Sequence, residues 1–99
     1  MVLEHALITI RPGTAHDFEK ALMGARSVIA ASPGFISLEL RRGVERPDQY
    51  LLLVEWETID DHLVGFRQSE AFPEWRAAIG PYFESPPVVD HFAAVERRS

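Results

Sequence analysis

The chain contains no cysteine, which excludes disulfides, thiolate nucleophiles and every cysteine-based zinc or iron–sulfur site. Nothing in it asks for an oxidising compartment. No apolar stretch approaches the roughly 20 residues that cross a bilayer. Glu4 and His5 stand where a secretion signal would carry basic residues and an apolar block, so a cytoplasmic protein without a membrane partner is expected. Positive charge is also scarce. The net charge is −5, and the Arg41-Arg42 and Arg97-Arg98 pairs are too small to make a phosphate-binding surface, so no nucleic acid is expected. Gly13, Gly34, Gly43, Gly65 and Gly80 are isolated turn markers and build no phosphate loop, and His5, His62 and His91 fall into no short metal-ligand spacing. Neither a metal nor a cofactor is expected from these patterns.

What is present is an ordinary soluble composition, 46% hydrophobic and 25% charged, in 99 residues: one domain, 1–99, small enough that association would help its core. The information is concentrated between Gln49 and Phe83, which hold both tryptophans, both tyrosines and three of the six phenylalanines. Tyr50 to Val54 is an uninterrupted apolar run of strand length, implying burial on both faces. Thr58 and Asp61 then form a capping-box pattern, predicting a helix from about Ile59 with Ile59, Leu63 and Phe66 on one face and His62 at its flank. After a bend near Ser69, Pro73 suits a new first helical turn, and Phe72, Trp75, Ile79 and Phe83 recur at helical spacing until Gly80-Pro81 weakens it.

The remaining elements complete a pattern. Val2 to Ile10 reads as a first strand, with Leu3, His5, Leu7 and Thr9 on one face and Val2, Glu4, Ala6, Ile8 and Ile10 on the other. Thr14 with Asp17 repeats the capping pattern, ahead of a helix whose buried stripe is Ala15, Phe18, Leu22, Ala25 and Ile29. Phe35 to Arg41 makes a second strand with Ile36, Leu38 and Leu40 on one face, Gly43 to Asp48 a hairpin loop, and Val88 to Val95 a fourth strand. The order is βαββαβ. With right-handed crossovers it predicts an α+β, ferredoxin-like fold, a four-stranded antiparallel sheet with its helices on one face. Leu3, Leu7 and half of the run Leu51 to Val54 would then lie on the uncovered face. A homodimer with the two sheets face to face is therefore expected, and a carboxylate at Leu53, or equally at Leu52, is expected to break it.

A strand ending in Val-Glu-Trp-Glu, a capped helix, and then Phe66, Ser69 and Phe72 as Phe-x-x-Ser-x-x-Phe resembles the antibiotic biosynthesis monooxygenase (ABM) domain family. The opening strand, Arg11-Pro12-Gly13 and the helix bearing Phe18 and Leu22 resemble it too, so nearly the whole chain is covered. The resemblance implies a dimeric α+β barrel, and oxidation of aromatic phenols by dioxygen without metal or flavin. A sister branch degrades haem with an Asn on the first strand, a Trp and a His. Those places look like Ala6, Phe66 and Arg76 here; all three differ, and an arginine cannot ligate iron. Many members carry a histidine where Phe66 stands, whereas this chain offers His62, one turn earlier.

The candidate functional residues come from that resemblance and from residue chemistry. His62 is the candidate base for a phenolic proton, because imidazole titrates near neutral pH; a half-buried histidine bonded to a neighbouring carboxylate or to backbone is the structural alternative. Trp56, Phe66, Phe72 and Trp75 are the rings that would hold a planar aromatic molecule, or else plain core. Arg67 and Arg76 would stabilise an oxyanion, or else pair with Glu70 and Glu74. His5 and His91 are expected to pair with Glu4, Asp90 or a partner subunit. The expected activity is a cofactor-independent monooxygenase for a small aromatic or quinone-like molecule; the alternative is a non-catalytic, small-molecule-binding dimeric module of the same fold. The expected cavity touches Trp56, His62, Phe66 and Trp75.

Overall fold

A computed structural model describes residues 1–96, so the Arg97-Arg98 pair lies outside the described residues. Four strands, β1 (Val2–Thr9), β2 (Phe35–Arg42), β3 (Gln49–Trp56) and β4 (Val88–Ala93), form one antiparallel sheet in the order β2-β3-β1-β4. Between them lie α1 (Ala15–Ala30), a π-helical segment π1 (Asp61–Phe66), α2 (Ala71–Ile79) and a 3-10 turn, Gly80–Tyr82. This is the ferredoxin-like arrangement that the βαββαβ order implies, and β4 is two residues shorter than expected.

Strand alternation sorts the core. On β1 the even positions Glu4, Ala6 and Ile8 are buried, as is Ile10 just beyond it, and on β3 Tyr50, Leu52, Val54 and Trp56 are buried beneath the helices. Phe18, Leu22, Ala25 and Ile29 of α1, and Trp75 and Ile79 of α2, close over them. The odd positions Leu3, Leu7, Leu51 and Leu53 lie on the other face, where Val88 and Phe92 are also exposed. Leu52 and Leu53 therefore point to opposite faces and are not interchangeable: Leu51 is the same-face equivalent of Leu53.

Three local expectations are corrected. A register shift between Phe35 and Ser37 turns Ile36 outward while Leu38 and Leu40 still face the helices, because a bulge inserts one residue against the pleat. Thr14 does not cap α1; its hydroxyl donates to the Arg11 carbonyl at 2.7 Å, closing the preceding turn instead. Phe83 leaves the helix after Gly80-Pro81 and bridges to Ile10.

Candidate functional site

The site begins with the capping box, which is present as the sequence predicts: the Thr58 amide donates to Asp61 Oδ2 at 3.1 Å and the Asp61 amide to Thr58 Oγ1 at 3.1 Å. Gly34, at φ +85°, lies directly against the Asp61 side chain, and a Cβ there would collide with it. The turn into β2 thus sets where π1 starts. The segment beyond the cap is not an α-helix. The Arg67 amide bonds the His62 carbonyl at 2.9 Å, an i to i+5 step, so the winding is wider than 3.6 residues per turn. That widening changes the buried face. His62 and Phe66 turn inward together, while Ile59 moves out to 41% exposure instead of sharing Phe66's face.

His62 lands on Trp56, the last residue of β3, with the rings stacked at 5.2 Å and 13° apart. Below them sits Glu4 on the helix-facing side of β1. Its Oε1 accepts the Trp56 indole N–H at 3.0 Å and lies 3.3 Å from His62 Nε2. On the neighbouring strand His91 is the cross-strand partner of Glu4, and its Nε2 is 2.8 Å from His62 Nδ1. Three titratable groups and one indole therefore form a connected cluster, buried at Glu4, His62 and Trp56 and half-buried at His91.

Burial sets the charge states. Loss of water pushes Glu4 up from 4.5 to about 7, against the opposing help of the Trp56 N–H and the nearby Arg67 charge. Burial pushes His62 down from 6.5 to about 4, with His91 and Arg67 adding repulsion. His91 is lowered as well, again chiefly by burial, then by Arg67. Although Glu4 and His62 are close enough for an ion pair, between these limits their contact joins a neutral imidazole to a carboxyl poised near neutrality.

A cavity of about 630 Å³ opens beside this cluster. Glu4, His62 and Arg67 stand at one side of its wall, with Phe66, Phe72 and Trp75 as aromatic lining and Arg76 also on it. Phe66 is the corner ring, edge-on to Phe72 at 5.6 Å and to Trp75 at 6.4 Å. So the fold brings together six of the seven residues singled out from the sequence. Trp56 is the exception, because it lies fully buried behind His62 and Phe66, off the cavity wall. Arg67 and Arg76 form no ion pair with Glu70 or Glu74 among the described residues. No three His, Asp or Glu side chains among the described residues are placed to hold a metal ion.

Glu4 is the member of the site that sequence reasoning misses. The signal is available: an acid on the otherwise apolar face Val2, Ala6, Ile8, Ile10 has to be paired or neutralised when buried. His91 needs the β1–β4 register, which no local pattern supplies.

A family model, Antibiotic biosynthesis monooxygenase, matches residues 1–78. The chain belongs to the ABM family. Among its relatives, the uncharacterized protein YczJ of Bacillus subtilis (strain 168) is 40% identical over 95 residues, covering 96% of this chain and all of YczJ. A crystal structure of a Bordetella bronchiseptica protein, itself assigned to the antibiotic biosynthesis monooxygenases, is 41% identical with a TM-score of 0.93 over 96% of this chain and 97% of that one. A Streptomyces coelicolor monooxygenase, crystallised with nanaomycin D, shares the fold at a TM-score of 0.82 and 20% identity, over 99% of this chain and 90% of its own. Ala6, Phe66 and Arg76 all line the cavity of this member. No helix among its described residues is long and apolar enough to cross a membrane.

Proposed function

We propose that this ABM-family protein is a cofactor-independent monooxygenase acting on a small aromatic or quinone-like molecule. The observation that carries the reading is the ring-lined cavity ending on the Glu4–His62–His91 cluster, whose groups burial has moved off their ordinary pKa values. The monooxygenase neighbour that binds nanaomycin D supports a small ligand in such a fold. Phe66, Phe72 and Trp75 hold the ring, the buried cluster takes a proton from it, and the Arg67 charge beside the cluster stabilises the anion left behind. Arg76 meets polar substituents at the wall. The electron-rich anion then reacts with dioxygen. When a ring CH₂ becomes a carbonyl, one oxygen atom enters the product and the other leaves as water with the two hydrogens removed.

Dioxygen uptake by metal-free protein over a panel of dihydroxyaromatics and anthrone-like compounds tests this. At least one compound is expected to be consumed, and the double variant Glu4→Gln/His62→Ala, which removes both candidate proton acceptors, is expected to slow uptake about 100-fold or more while ligand binding persists. Binding across the panel with no uptake by the parent protein replaces the oxygenase with the non-catalytic binding module.

The proposed working unit is a homodimer. Leu3, Leu7, Leu51 and Leu53 form an apolar sheet face with exposed Val88 and Phe92 beside it, and a second sheet packed there removes it from water. Sedimentation at micromolar concentration is expected to show a dimer. Leu53→Glu puts a carboxylate into that face and should give monomer or loss of fold. A soluble, stable monomer of the parent chain contradicts the paired-sheet arrangement.

A further inference from the structure

We infer that Glu4 is the catalytic residue that takes the substrate's proton, through its Oε2, and that His62 and His91 are positioning residues that aim it. The inference rests on the oxygenase reading for the kind of substrate, and it assigns the proton transfer to a different atom from the imidazole that the sequence suggests.

Lone pairs decide the assignment. His62 Nε2 faces Glu4 Oε1 and His62 Nδ1 faces His91 Nε2, so both ring nitrogens are engaged and neither is left for a ligand. His62 is also stacked flat on Trp56, which holds the ring in that orientation. Both contacts of Glu4 fall on one oxygen, Oε1, leaving Oε2 without a hydrogen bond among the described residues. None of the sealed side-chain polar atoms among those residues lacks a partner, so Oε2 is open, and Glu4 is a cavity-lining residue. The unsatisfied acceptor of the cluster therefore faces the space where a substrate would sit.

The contacts select one consistent set of protons. The Trp56 indole can only donate, so Oε1 accepts from it. When Glu4 is ionised, Oε1 also accepts from His62 Nε2–H, which leaves Nδ1 as the acceptor for His91 Nε2–H. His91 thereby fixes the His62 tautomer, His62 and Trp56 fix the carboxylate through Oε1, and Oε2 is left as the open oxygen of a cavity-lining residue. The groups facing Glu4 are thus Trp56 from β3, His62 from π1, His91 from β4 and the Arg67 charge just after π1. A carboxyl raised to about 7 has substantial amounts of both forms near neutral pH, which suits a group that must accept a proton and give it back. In the step itself, the substrate's C–H or O–H bond breaks with its electron pair staying on the substrate, and a new O–H bond forms at Oε2. The carbanion adds dioxygen, and the same proton is returned to the outer peroxide oxygen, restoring the carboxylate. The carbon's second hydrogen is then lost as a proton while the O–O bond breaks and C=O forms, and it joins the departing hydroxide as water.

Deuterium exchange without dioxygen isolates this step. Anthrone, whose ring CH₂ is acidic, is incubated with the protein in D₂O under argon and its mass is followed. The parent protein should accelerate exchange, with a rate that climbs through about pH 7 as Glu4 ionises. Glu4→Gln, nearly isosteric, should remove about 100-fold or more of the acceleration, and Glu4→Asp, which withdraws the carboxylate, should retain part of it. His62→Gln should keep exchange but move its pH limb, a change that a merely structural role would not produce. Exchange that survives Glu4→Gln but is lost in His62→Ala makes His62 the base and overturns the assignment; so does a parent protein that catalyses no exchange. Exchange at Glu4 with no dioxygen uptake across the panel leaves the assignment standing and removes the oxygenase.

Discussion

Trp56→Ala is expected to cost roughly 3–5 kcal/mol of folding stability, the range for emptying a buried aromatic site. Trp56 is fully buried and touches Phe35 edge-on at 6.0 Å, His62 face-on and Phe66 at 5.8 Å, so the cavity it leaves cannot collapse without moving two elements, β2 and π1. The loss has a second part. Glu4 Oε1 would lose its indole donor, leaving a buried carboxyl less satisfied. Trp56→Phe, which keeps most of the ring volume and drops only the N–H, should cost much less, on the order of 1–3 kcal/mol. Urea midpoints of both variants check this. Equal costs would mean that the indole N–H, rather than packing, dominates at this position.

The second large effect is hidden in the parent protein and appears only when one member of the buried pair is removed. Glu4 is raised from 4.5 to about 7, so its protonated form is favoured by the folded state; the stability this gives is complete below 4.5 and falls as pH rises through 7. His62 runs the other way. Lowered from 6.5 to about 4, its neutral form is favoured by the folded state, so its contribution is present above 6.5 and is lost as pH falls through 4. Between about 4.5 and 6.5 the two slopes oppose each other. In Glu4→Gln the His62 slope is left alone, and stability relative to the parent should climb with pH across that window. In His62→Phe the Glu4 slope is left alone, so stability relative to the parent should fall by about 3 kcal/mol between pH 4.5 and 6.5, the size of the lost His62 slope. Urea denaturation at several pH values reads both. If the two variants track the parent at every pH, the pair is not buried in the folded protein as described.

Most of the fold is legible because it is written in short-range patterns. The period-two alternation of β1, the apolar run of β3, the Thr58–Asp61 capping box and the stripe Phe18, Leu22, Ala25, Ile29 each depend on neighbours within a few residues, and each appears where the sequence puts it. Two of the local misses are shifts of register. A bulge at Ile36 and a π-helical turn at Asp61–Phe66 shift a register by one residue, and a one-residue shift is enough to exchange inside for outside.

The site divides in the same way. The sequence alone determined the sheet order's ingredients, the aromatic supply in Gln49 to Phe83, and the absence of thiol chemistry, because composition and periodicity carry those. That Ile59 left the face which His62 and Phe66 share depended on the widened π turn. That it meets Glu4 and His91 depended on strand pairing, which sets Glu4 of β1 opposite His91 of β4 although nearly the whole chain lies between them. Only tertiary structure decided that both nitrogens of His62 are engaged and that one oxygen of Glu4 is open. Hydrogen bonds and desolvation act through distance in space, and the pKa values that give this cluster its chemistry exist only once those strands and that turn have come together.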